Sequence, residues 1–230
     1  MSTIRFDHVS VEFDETTVLR DINLTLAEQR IGIIGANGSG KSTLIRQING
    51  LGEPSSGTVS IDGLDVARNG KDIRKQVGFI FSDAENQIVM PNVRDDVSFS
   101  LKRFKLSREL RNAKVDAALA RFHLTHLASN SPHTLSGGQK QMLALAAVLV
   151  TEPSVVLADE PTALLDLLNR NRIKDEFAKL DQQVIVVTHD LSFLDDFDRV
   201  LCIDKHAIAF DGKPAETIAF YEDLMHKRAM

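Results

Sequence analysis

Glycines alternate with small polar residues and one lysine in the stretch Gly35–Thr43, a composition that suits a polyphosphate ligand. Backbone N–H groups can surround phosphate oxygens only where side chains are absent, and the glycines leave that room. Lys41 would place a positive charge on the β- and γ-phosphates, and Ser42 would offer its hydroxyl to Mg²⁺. The complete pattern G-x-x-x-x-G-K-[ST] predicts a site for a nucleoside triphosphate with Mg²⁺. The candidate binding residues are Gly35, Ala36, Asn37, Gly38, Ser39, Gly40, Lys41, Ser42 and Thr43.

An acidic pair, Asp159 and Glu160, follows the apolar run Val155–Ala158. A phosphate-binding loop of this kind needs a carboxylate that holds Mg²⁺ at the end of a neighbouring strand, and Asp159 has that position. Glu160 is then placed to act as the general base that polarises the attacking water. An isolated Asp-Glu pair would more simply be a solvated turn, but the phosphate-binding loop in the same chain favours the catalytic interpretation.

The stretch Leu135–Gln139 predicts a second anion-binding helix start, because Ser136 can cap the following helix and two glycines leave its first N–H groups free. One triphosphate has a single γ-phosphate, so two such helix starts on one chain indicate two domains that face each other and complete each other's site. Considered alone, the same residues predict a helix cap without a ligand equally well. The residues that would reach the facing nucleotide are Ser136, Gly137, Gly138 and Gln139.

These residues need strands that end together at one edge of a sheet. Continuous apolar runs at Ile31–Ile34, Val77–Phe81, Val155–Ala158 and Val184–Val187 are typical of parallel strands buried on both faces. Ligand sites lie beyond the carboxyl ends of such strands, where the phosphate-binding loop and the acidic pair both follow. Residues 3–26 instead alternate between apolar and polar positions and predict antiparallel strands.

Helical periodicity begins after the second of these apolar runs, Val77–Phe81. Residues 93–135 predict a helical insert, and Gly137 opens a further helical run from Lys140 to Val150. Residues 200–210 read as a closing hairpin, and Pro214–Met225 as a terminal helix. The apolar stripe of the insert is Leu110, Val115, Ala118, Leu119 and Phe122. The predicted fold class is α/β: a P-loop NTPase core with a mostly parallel sheet, an antiparallel β subdomain and a helical insert.

Composition narrows the functional class. The 230 residues are 43% apolar, enough for one large domain with a sizeable core. The net charge of −5 provides no basic field for nucleic acid, and the single Cys202 excludes an internal disulfide framework. The N-terminus lacks the apolar core of a signal peptide, and the longest apolar run, Met142–Val150, is too short to cross a bilayer. We therefore expect a cytoplasmic protein that reaches the membrane only through a partner.

Taken with Pro161–Asp166 and His189, the motifs follow an order that resembles the ATP-binding-cassette (ABC) ATPases over essentially the whole chain. The pairing of Leu-Ser-Gly-Gly-Gln with a phosphate-binding loop makes the resemblance specific. It implies a single ATP-binding domain over residues 1–230, with a helical subdomain near residues 93–150. It also implies Mg²⁺-dependent hydrolysis of ATP between two cassettes, so the partner is a second ATPase subunit, with a homodimer favoured and a paralogue left open.

The resemblance also assigns three individual residues. Phe13 falls where the family has an aromatic that stacks on adenine, although position alone would make it an ordinary strand residue. Asp166 falls on the family's D-loop at the dimer interface. His189 falls on the switch histidine that contacts the γ-phosphate, and becomes the second catalytic candidate beside Glu160.

One position departs from the family. The glutamine that its members carry after the strand Val77–Phe81, which senses Mg²⁺ and the attacking water, is replaced by Ser82. Gln87, five residues further on, is a candidate substitute. Both residues stay candidates for the Mg²⁺ sensor.

Residues 85–101 are similar to the ATPases of energy-coupling-factor importers. This resemblance implies import of a small vitamin or metal ion, with biotin favoured and cobalt or nickel as rivals, powered from the cytoplasmic face of the membrane. The implied partners are a transmembrane coupling protein and a substrate-binding membrane protein. Many members carry a longer C-terminal dimerisation region, and we expect a chain that ends at Met230 to lack that contact. A soluble ABC ATPase of DNA repair or translation would carry a long coiled-coil insert or tandem cassettes, and a P-loop kinase would lack Leu135–Gln139.

Overall fold

Two β-sheets hold the chain together in the computed structural model, which describes residues 1–229. The strands are β1 (Ile4–Phe13), β2 (Thr16–Leu26), β3 (Arg30–Gly35), β4 (Ser56–Ile61), β5 (Leu64–Asp65), β6 (Val77–Ile80), β7 (Val155–Asp159), β8 (Gln183–Val187), β9 (Arg199–Asp204) and β10 (Ala207–Gly212). One sheet is antiparallel, with the order β2-β1-β4-β5, and begins with the hairpin expected from the alternation in residues 3–26.

The second sheet has six strands in the order β10-β9-β3-β8-β7-β6. Five of them are parallel, and β10 pairs antiparallel with β9 as the predicted closing hairpin. Alternate residues of β7 enter different cores: Val155 and Leu157 face the antiparallel sheet, whereas Val156 and Ala158 face the helices of the insert. Burial on both faces explains why these strands read as continuous apolar runs. The α/β fold class predicted from the sequence is confirmed.

Within residues 1–229, seven α-helices connect and cover the strands. They are α1 (Lys41–Ile48), α2 (Val66–Gln76), α3 (Val93–Ser100), α4 (Arg108–Arg121), α5 (Gly137–Leu149), α6 (Leu167–Ala178) and α7 (Pro214–Ala229). The sequence pattern did not indicate α2, whose backbone departs from helical angles at Asn69. Helix α7 runs four residues beyond the predicted end at Met225. No helix described between residues 1 and 229 is both long and apolar enough to span a lipid bilayer.

Helices α3, α4 and α5 pack together where the sequence predicted a helical insert. Side-chain caps start each of them: Asn92 caps α3, Ser107 caps α4 and Ser136 caps α5. Four of the five residues in the expected apolar stripe are buried, whereas the first, Leu110, is 47% exposed. The periodicity of α4 was therefore read correctly, but the stripe extended one turn too far.

The two leucines of α4 provide a matched test of this packing. Leu119→Ala should lower the free energy of unfolding by about 2–5 kcal/mol, because it leaves a cavity in the insert core. Leu110→Ala on the same helix should change it by no more than about 0.5 kcal/mol. Urea denaturation followed by circular dichroism measures both values, and equal losses from the two variants would contradict this arrangement.

Candidate active site

The phosphate-binding loop joins the end of β3 at Gly35 to the start of α1 at Lys41. Gly35, Gly38 and Gly40 all have positive φ angles, of 147°, 75° and 107°. A Cβ atom on Gly35 would collide with the carbonyl oxygen of Ile203, and one on Gly40 would lie 2.5 Å from the carbonyl oxygen of Val18. Space around Gly38 is open. Close backbone packing therefore requires glycine at positions 35 and 40, whereas Gly38 is exposed.

Lys41 is folded back against its own loop. Its ammonium group is buried and donates hydrogen bonds to the carbonyl oxygens of Gly35, at 2.8 Å, and Ala36, at 3.0 Å. Burial lowers the pKa of Lys41, while the carboxylates of Glu160 and Asp159 act to raise it. An ammonium group has three N–H donors, so one donor remains for a phosphate oxygen.

Asp159, the last residue of β7, is buried beside the phosphate-binding loop. The hydroxyl of Ser42 donates a hydrogen bond of 2.7 Å to Asp159 Oδ1, and a guanidinium nitrogen of Arg46 lies 3.6 Å from Asp159 Oδ2. A carboxylate and a hydroxyl oxygen in contact are the donor chemistry that Mg²⁺ prefers. The pair therefore fits a Mg²⁺ ion, and Ser42 and Asp159 are the residues that would hold it.

Glu160 lies next in the chain, with a positive φ of 51°. The backbone N–H of His189 donates to Glu160 Oε2 at 3.0 Å, and the Nε2 atom of His189 lies 3.3 Å from Glu160 Oε1. Burial raises the pKa of Glu160, and the hydrogen bond and charge of His189 and the charge of Lys41 only partly oppose it. A carboxylate with a raised pKa is a better proton acceptor, which suits a general base.

One cleft of about 580 Å³ brings these groups together. Of the predicted site residues, Asn37–Thr43, Glu160 and His189 line it, and Gly35 and Ala36 lie behind it as acceptors of Lys41. Five further lining residues were not predicted from the sequence: Val18, Thr162, Ala163, Arg170 and Asp190. Thr162, Ala163 and Asp190 lie close in sequence to Glu160 or His189, which could have indicated them. No local pattern indicates Val18 or Arg170.

Arg170 and Asp190 connect helix α6 to the loop that carries His189. An Arg170 guanidinium nitrogen lies 3.8 Å from an Asp190 carboxylate oxygen, and the ammonium of Lys174 lies 3.3 Å from the same oxygen. Ser192 donates a hydrogen bond of 2.7 Å to the other carboxylate oxygen of Asp190. Two basic residues of α6 therefore contact the residue that follows His189 in sequence.

The second anion-binding candidate, Ser136–Gln139, lies away from this cleft. The hydroxyl of Ser136 accepts from the backbone N–H of Gln139 at 3.3 Å, and Gln139 Oε1 accepts from the N–H of Ser136 at 2.9 Å, which completes a capping box. Ser136 and Gly137 are exposed, and Gly138 packs so closely on Asn169 that a Cβ atom would collide with its side chain. Asn169 in turn donates its N–H to Asp166, which caps α6 at 2.8 Å.

Three predicted residues lie outside both groups. Phe13 is exposed at the end of β1 and does not line the cleft. Ser82 is exposed, and Gln87 uses its amide to tie the backbone N–H of Phe81, at 3.2 Å, to the carbonyl oxygen of Ala144, at 3.4 Å. Adenine stacking by Phe13 and sensing of Mg²⁺ by Ser82 or Gln87 therefore stay predictions.

The sequence matches the family described as "ABC transporter" over residues 19–163. A putative ABC transporter ATP-binding protein of Bartonella quintana is 48% identical over 96% of this chain and 98% of its own length. The biotin transport ATP-binding protein BioM of Rhizobium etli is 43% identical over the same shares. An energy-coupling factor transporter ATP-binding protein of Halalkalibacterium halodurans is 37% identical over 94% of this chain and 80% of its own length.

Solved structures with the same fold include the cbiO1 protein of Clostridium perfringens, described as part of an ABC transporter complex. It has a TM-score of 0.83 and 32% identity, over 97% of this chain and 93% of its own. An ATP-binding cassette in a dimeric post-hydrolysis state, bound to ADP and Pi, has a TM-score of 0.82 and 28% identity, over 92% of this chain and 98% of its own.

Close backbone packing at Gly40 leads to a prediction about ligand affinity. Gly40→Ala should weaken ATP binding at least about tenfold, because a Cβ atom at a φ of 107° would push the loop away from Val18. Gly63→Ala is the matched control, since Gly63 also has a positive φ, of 81°, but nothing lies within 4 Å of its Cβ position. Titration with a fluorescent ATP analogue in the presence of Mg²⁺ measures both affinities. An unchanged affinity for Gly40→Ala would contradict this packing account.

Proposed function

Because this chain belongs to the ABC transporter family, we propose that it is the ATP-hydrolysing subunit of an energy-coupling-factor importer, with biotin as its favoured substrate. Its reaction is the hydrolysis of ATP to ADP and phosphate, with Mg²⁺ as the cofactor, coupled to transport across the membrane. The observation that carries the proposal is the separation of two half-sites: the phosphate-binding cleft and the Ser136–Gln139 helix start are lined by different residues of one chain.

Because the two half-sites lie apart on one chain, each nucleotide site is proposed to form from one half-site of each of two subunits. The cleft of one chain holds the phosphates, and the exposed residues Ser136 and Gly137 at the start of α5 of a second chain cover them from the other side. A dimer related by two-fold symmetry contains two such sites. A second copy of the chain is favoured as the partner, and a paralogue would serve equally if it carried both half-sites.

Within each site, the residues divide the chemistry. Lys41 binds the β- and γ-phosphate oxygens, and Ser42 and Asp159 hold the cation, which when bound supplies charge neutralisation on the phosphates. Glu160 orients the attacking water and accepts its proton at a carboxylate oxygen. The backbone N–H of His189 holds Glu160 in place, and its side chain, which lines the cleft, is proposed to contact the γ-phosphate. Release of the γ-phosphate removes the contact that holds the two chains closed.

The assignment to an energy-coupling-factor importer also leads us to propose the domain bounds and the membrane partners. We propose that residues 1–230 form one ATP-binding domain, whose helical subdomain near residues 93–150 carries the closing motion to membrane proteins. The expected partners are a transmembrane coupling protein and a substrate-binding membrane protein, which place the chain peripherally at the cytoplasmic face of the membrane. Biotin is supported by 43% identity to a biotin transport ATPase along nearly the full chain. Cobalt or nickel import is the alternative.

Replacing Glu160 tests the assignment of the general base. Glu160→Gln should reduce ATP turnover at least about hundredfold, because the amide cannot accept a proton from water. Binding of ATP with Mg²⁺ should be retained, since the phosphate-binding residues are unchanged. A steady-state phosphate-release assay and an ATP titration measure the two effects. Turnover within tenfold of the parent chain would show that another group is the base.

The raised pKa of Glu160 also predicts the pH dependence of turnover. Only the carboxylate can accept the proton, so activity is present above the pKa and is lost as the pH falls through it. Because burial raises that pKa above the ordinary value of 4.5, the acidic midpoint of kcat should lie above pH 4.5. Rates at saturating ATP and Mg²⁺ across pH 4.5–8 measure it, provided the fold is shown to be intact by circular dichroism. A midpoint at or below 4.5 would contradict the buried-base account.

Recovery of the membrane partners tests the transport assignment. Purification of the tagged chain from detergent-solubilised membranes of its own cell should recover a transmembrane coupling protein and a small substrate-binding protein. Reconstituted vesicles should then take up labelled biotin only with ATP, and the Glu160→Gln variant in the same complex is the control that abolishes uptake. Uptake of cobalt or nickel instead of biotin would support the alternative substrate, and recovery of ribosomes or DNA would contradict an importer.

A further inference from the structure

Arg46, in the last turn of α1, lies beside the residues that would hold Mg²⁺ but does not line the phosphate-binding cleft. One of its guanidinium nitrogens is 3.6 Å from Asp159 Oδ2, whereas the hydroxyl of Ser42 donates to Asp159 Oδ1 at 2.7 Å. Ser42 and Arg46 are four residues apart on α1, so their side chains lie on one face of the helix. Helix α1 therefore contacts both carboxylate oxygens of Asp159, one with a hydroxyl and the other with a positive charge.

Asp159 needs such a charge, because only 6% of its side chain is exposed. Burial makes a carboxylate costly unless an opposite charge or a hydrogen bond compensates it. The ammonium group of Lys41 donates its hydrogen bonds to the carbonyl oxygens of Gly35 and Ala36 rather than to Asp159. Within residues 1–229, the ion-pair partner of Asp159 is Arg46.

The guanidinium of Arg46 can leave Asp159 at a small cost. Its side chain is 47% exposed, and 3.6 Å is longer than a hydrogen bond. An arginine can keep its apolar stem packed while the charged head moves into water. An ion pair that is half open to solvent is also weak, because water screens it. Arg46 therefore compensates the charge of Asp159 without blocking the carboxylate permanently.

A cation held by Ser42 and Asp159 would share the carboxylate with this guanidinium. Two positive charges beside one carboxylate repel each other, so each of them weakens the attraction of Asp159 for the other. The charge of arginine is permanent, because its guanidinium stays protonated in proteins. A divalent cation should therefore bind less tightly beside Arg46 than beside an uncharged side chain of similar length.

We propose that Arg46 is a positioning residue that sets the affinity of the Ser42–Asp159 site for Mg²⁺. It compensates the buried carboxylate before the cation binds, and it keeps the affinity for the cation low by charge repulsion. This inference rests on the proposed function, because it requires Ser42 and Asp159 to hold the cation. It adds a residue that acts on the cation only through Asp159.

Binding of Mn²⁺, which accepts the same oxygen ligands as Mg²⁺ and is paramagnetic, tests the proposal. Mn²⁺ is titrated into the full-length chain with ADP at less than the chain concentration, and free Mn²⁺ is measured by electron paramagnetic resonance. Arg46→Met should lower the dissociation constant of Mn²⁺ at least about fivefold, because the repelling charge is removed. Arg46→Lys keeps a positive charge and should stay within about twofold of the parent chain. Damage to the fold would not produce tighter binding.

Thermal unfolding tests the compensation of Asp159. In EDTA without nucleotide, Arg46→Met should lower the thermal midpoint by about 2 °C, because the buried carboxylate loses its ion-pair partner. With Mn²⁺ and ADP the difference should shrink or reverse, since the cation then compensates Asp159 and binds the variant more tightly. The matched control is Arg68→Met, because Arg68 is 86% exposed and pairs with Asp65 at the start of α2. It should change neither the midpoint, measured by differential scanning calorimetry, nor the dissociation constant of Mn²⁺.

An unchanged or higher dissociation constant for Arg46→Met would overturn the inference. So would Mn²⁺ binding by Arg46→Lys as tight as that by Arg46→Met, because charge would then not be the cause, or a midpoint in EDTA that does not fall.

Asp159→Asn separates the role of Arg46 from the proposed function. It should weaken Mn²⁺ binding at least about tenfold, because an anionic oxygen ligand is lost. If it binds Mn²⁺ like the parent chain, Asp159 does not hold the cation, and the cation site of the proposed function is wrong. If Asp159→Asn weakens binding while Arg46→Met leaves it unchanged, the cation site stands and only the role assigned to Arg46 is wrong.

Discussion

The site depends on the register of three parallel strands, β3, β8 and β7, whose carboxyl ends lie side by side in the sheet. Ile33 of β3 lies opposite Val187 of β8, and Val187 lies opposite Asp159 of β7. The carboxyl ends of these strands therefore reach one edge of the sheet together, and whatever follows them must meet there. The phosphate-binding loop follows β3, Glu160 follows β7, and His189 follows β8. Their side chains converge although more than a hundred residues separate the first from the second in sequence.

These strand ends bring the charged side chains of Lys41 and Glu160 into one partly buried cleft. Burial lowers the pKa of Lys41 and raises that of Glu160, and each of these charges partly offsets the cost of the other. A bound triphosphate places negative charge beside Lys41 and the open backbone around Gly38. It therefore offsets part of the free-energy cost of burying the Lys41 ammonium group. Ser136 and Gly137 are exposed and do not line this cleft. The proposed function therefore requires a second chain to cover the phosphates.

Sequence patterns predicted the features that depend on residues close together in the chain. The loop Gly35–Thr43, the acidic pair at the end of β7 and the helix cap at Ser136 each depend on residues close together in sequence, and each lies in the predicted element. Features set by distant contacts were missed. Arg170 lines the cleft from α6, a helix distant in sequence from the phosphate-binding loop. Leu110 is exposed although helical periodicity placed it in the apolar stripe, because periodicity does not show how far the packing partner of a helix extends. Helix α2 buries only Val66 and Ile73 and is kinked at Asn69, so its sequence offers few apolar positions from which to predict it. Gln87 is held by hydrogen bonds to the backbone of Phe81 and Ala144, and no pattern in the sequence indicates these contacts.

Dependence of turnover on subunit concentration tests the central claim, that one nucleotide is shared by two protein surfaces. ATP turnover per chain should be measured for the isolated protein over a wide dilution series at saturating ATP and Mg²⁺. The shared site predicts that turnover per chain is constant at high concentration and falls in proportion to concentration once the dimer dissociates. Turnover that stays constant at every dilution, and that survives replacement of Ser136 and Gly137, would contradict it and identify a phosphohydrolase that works as a monomer.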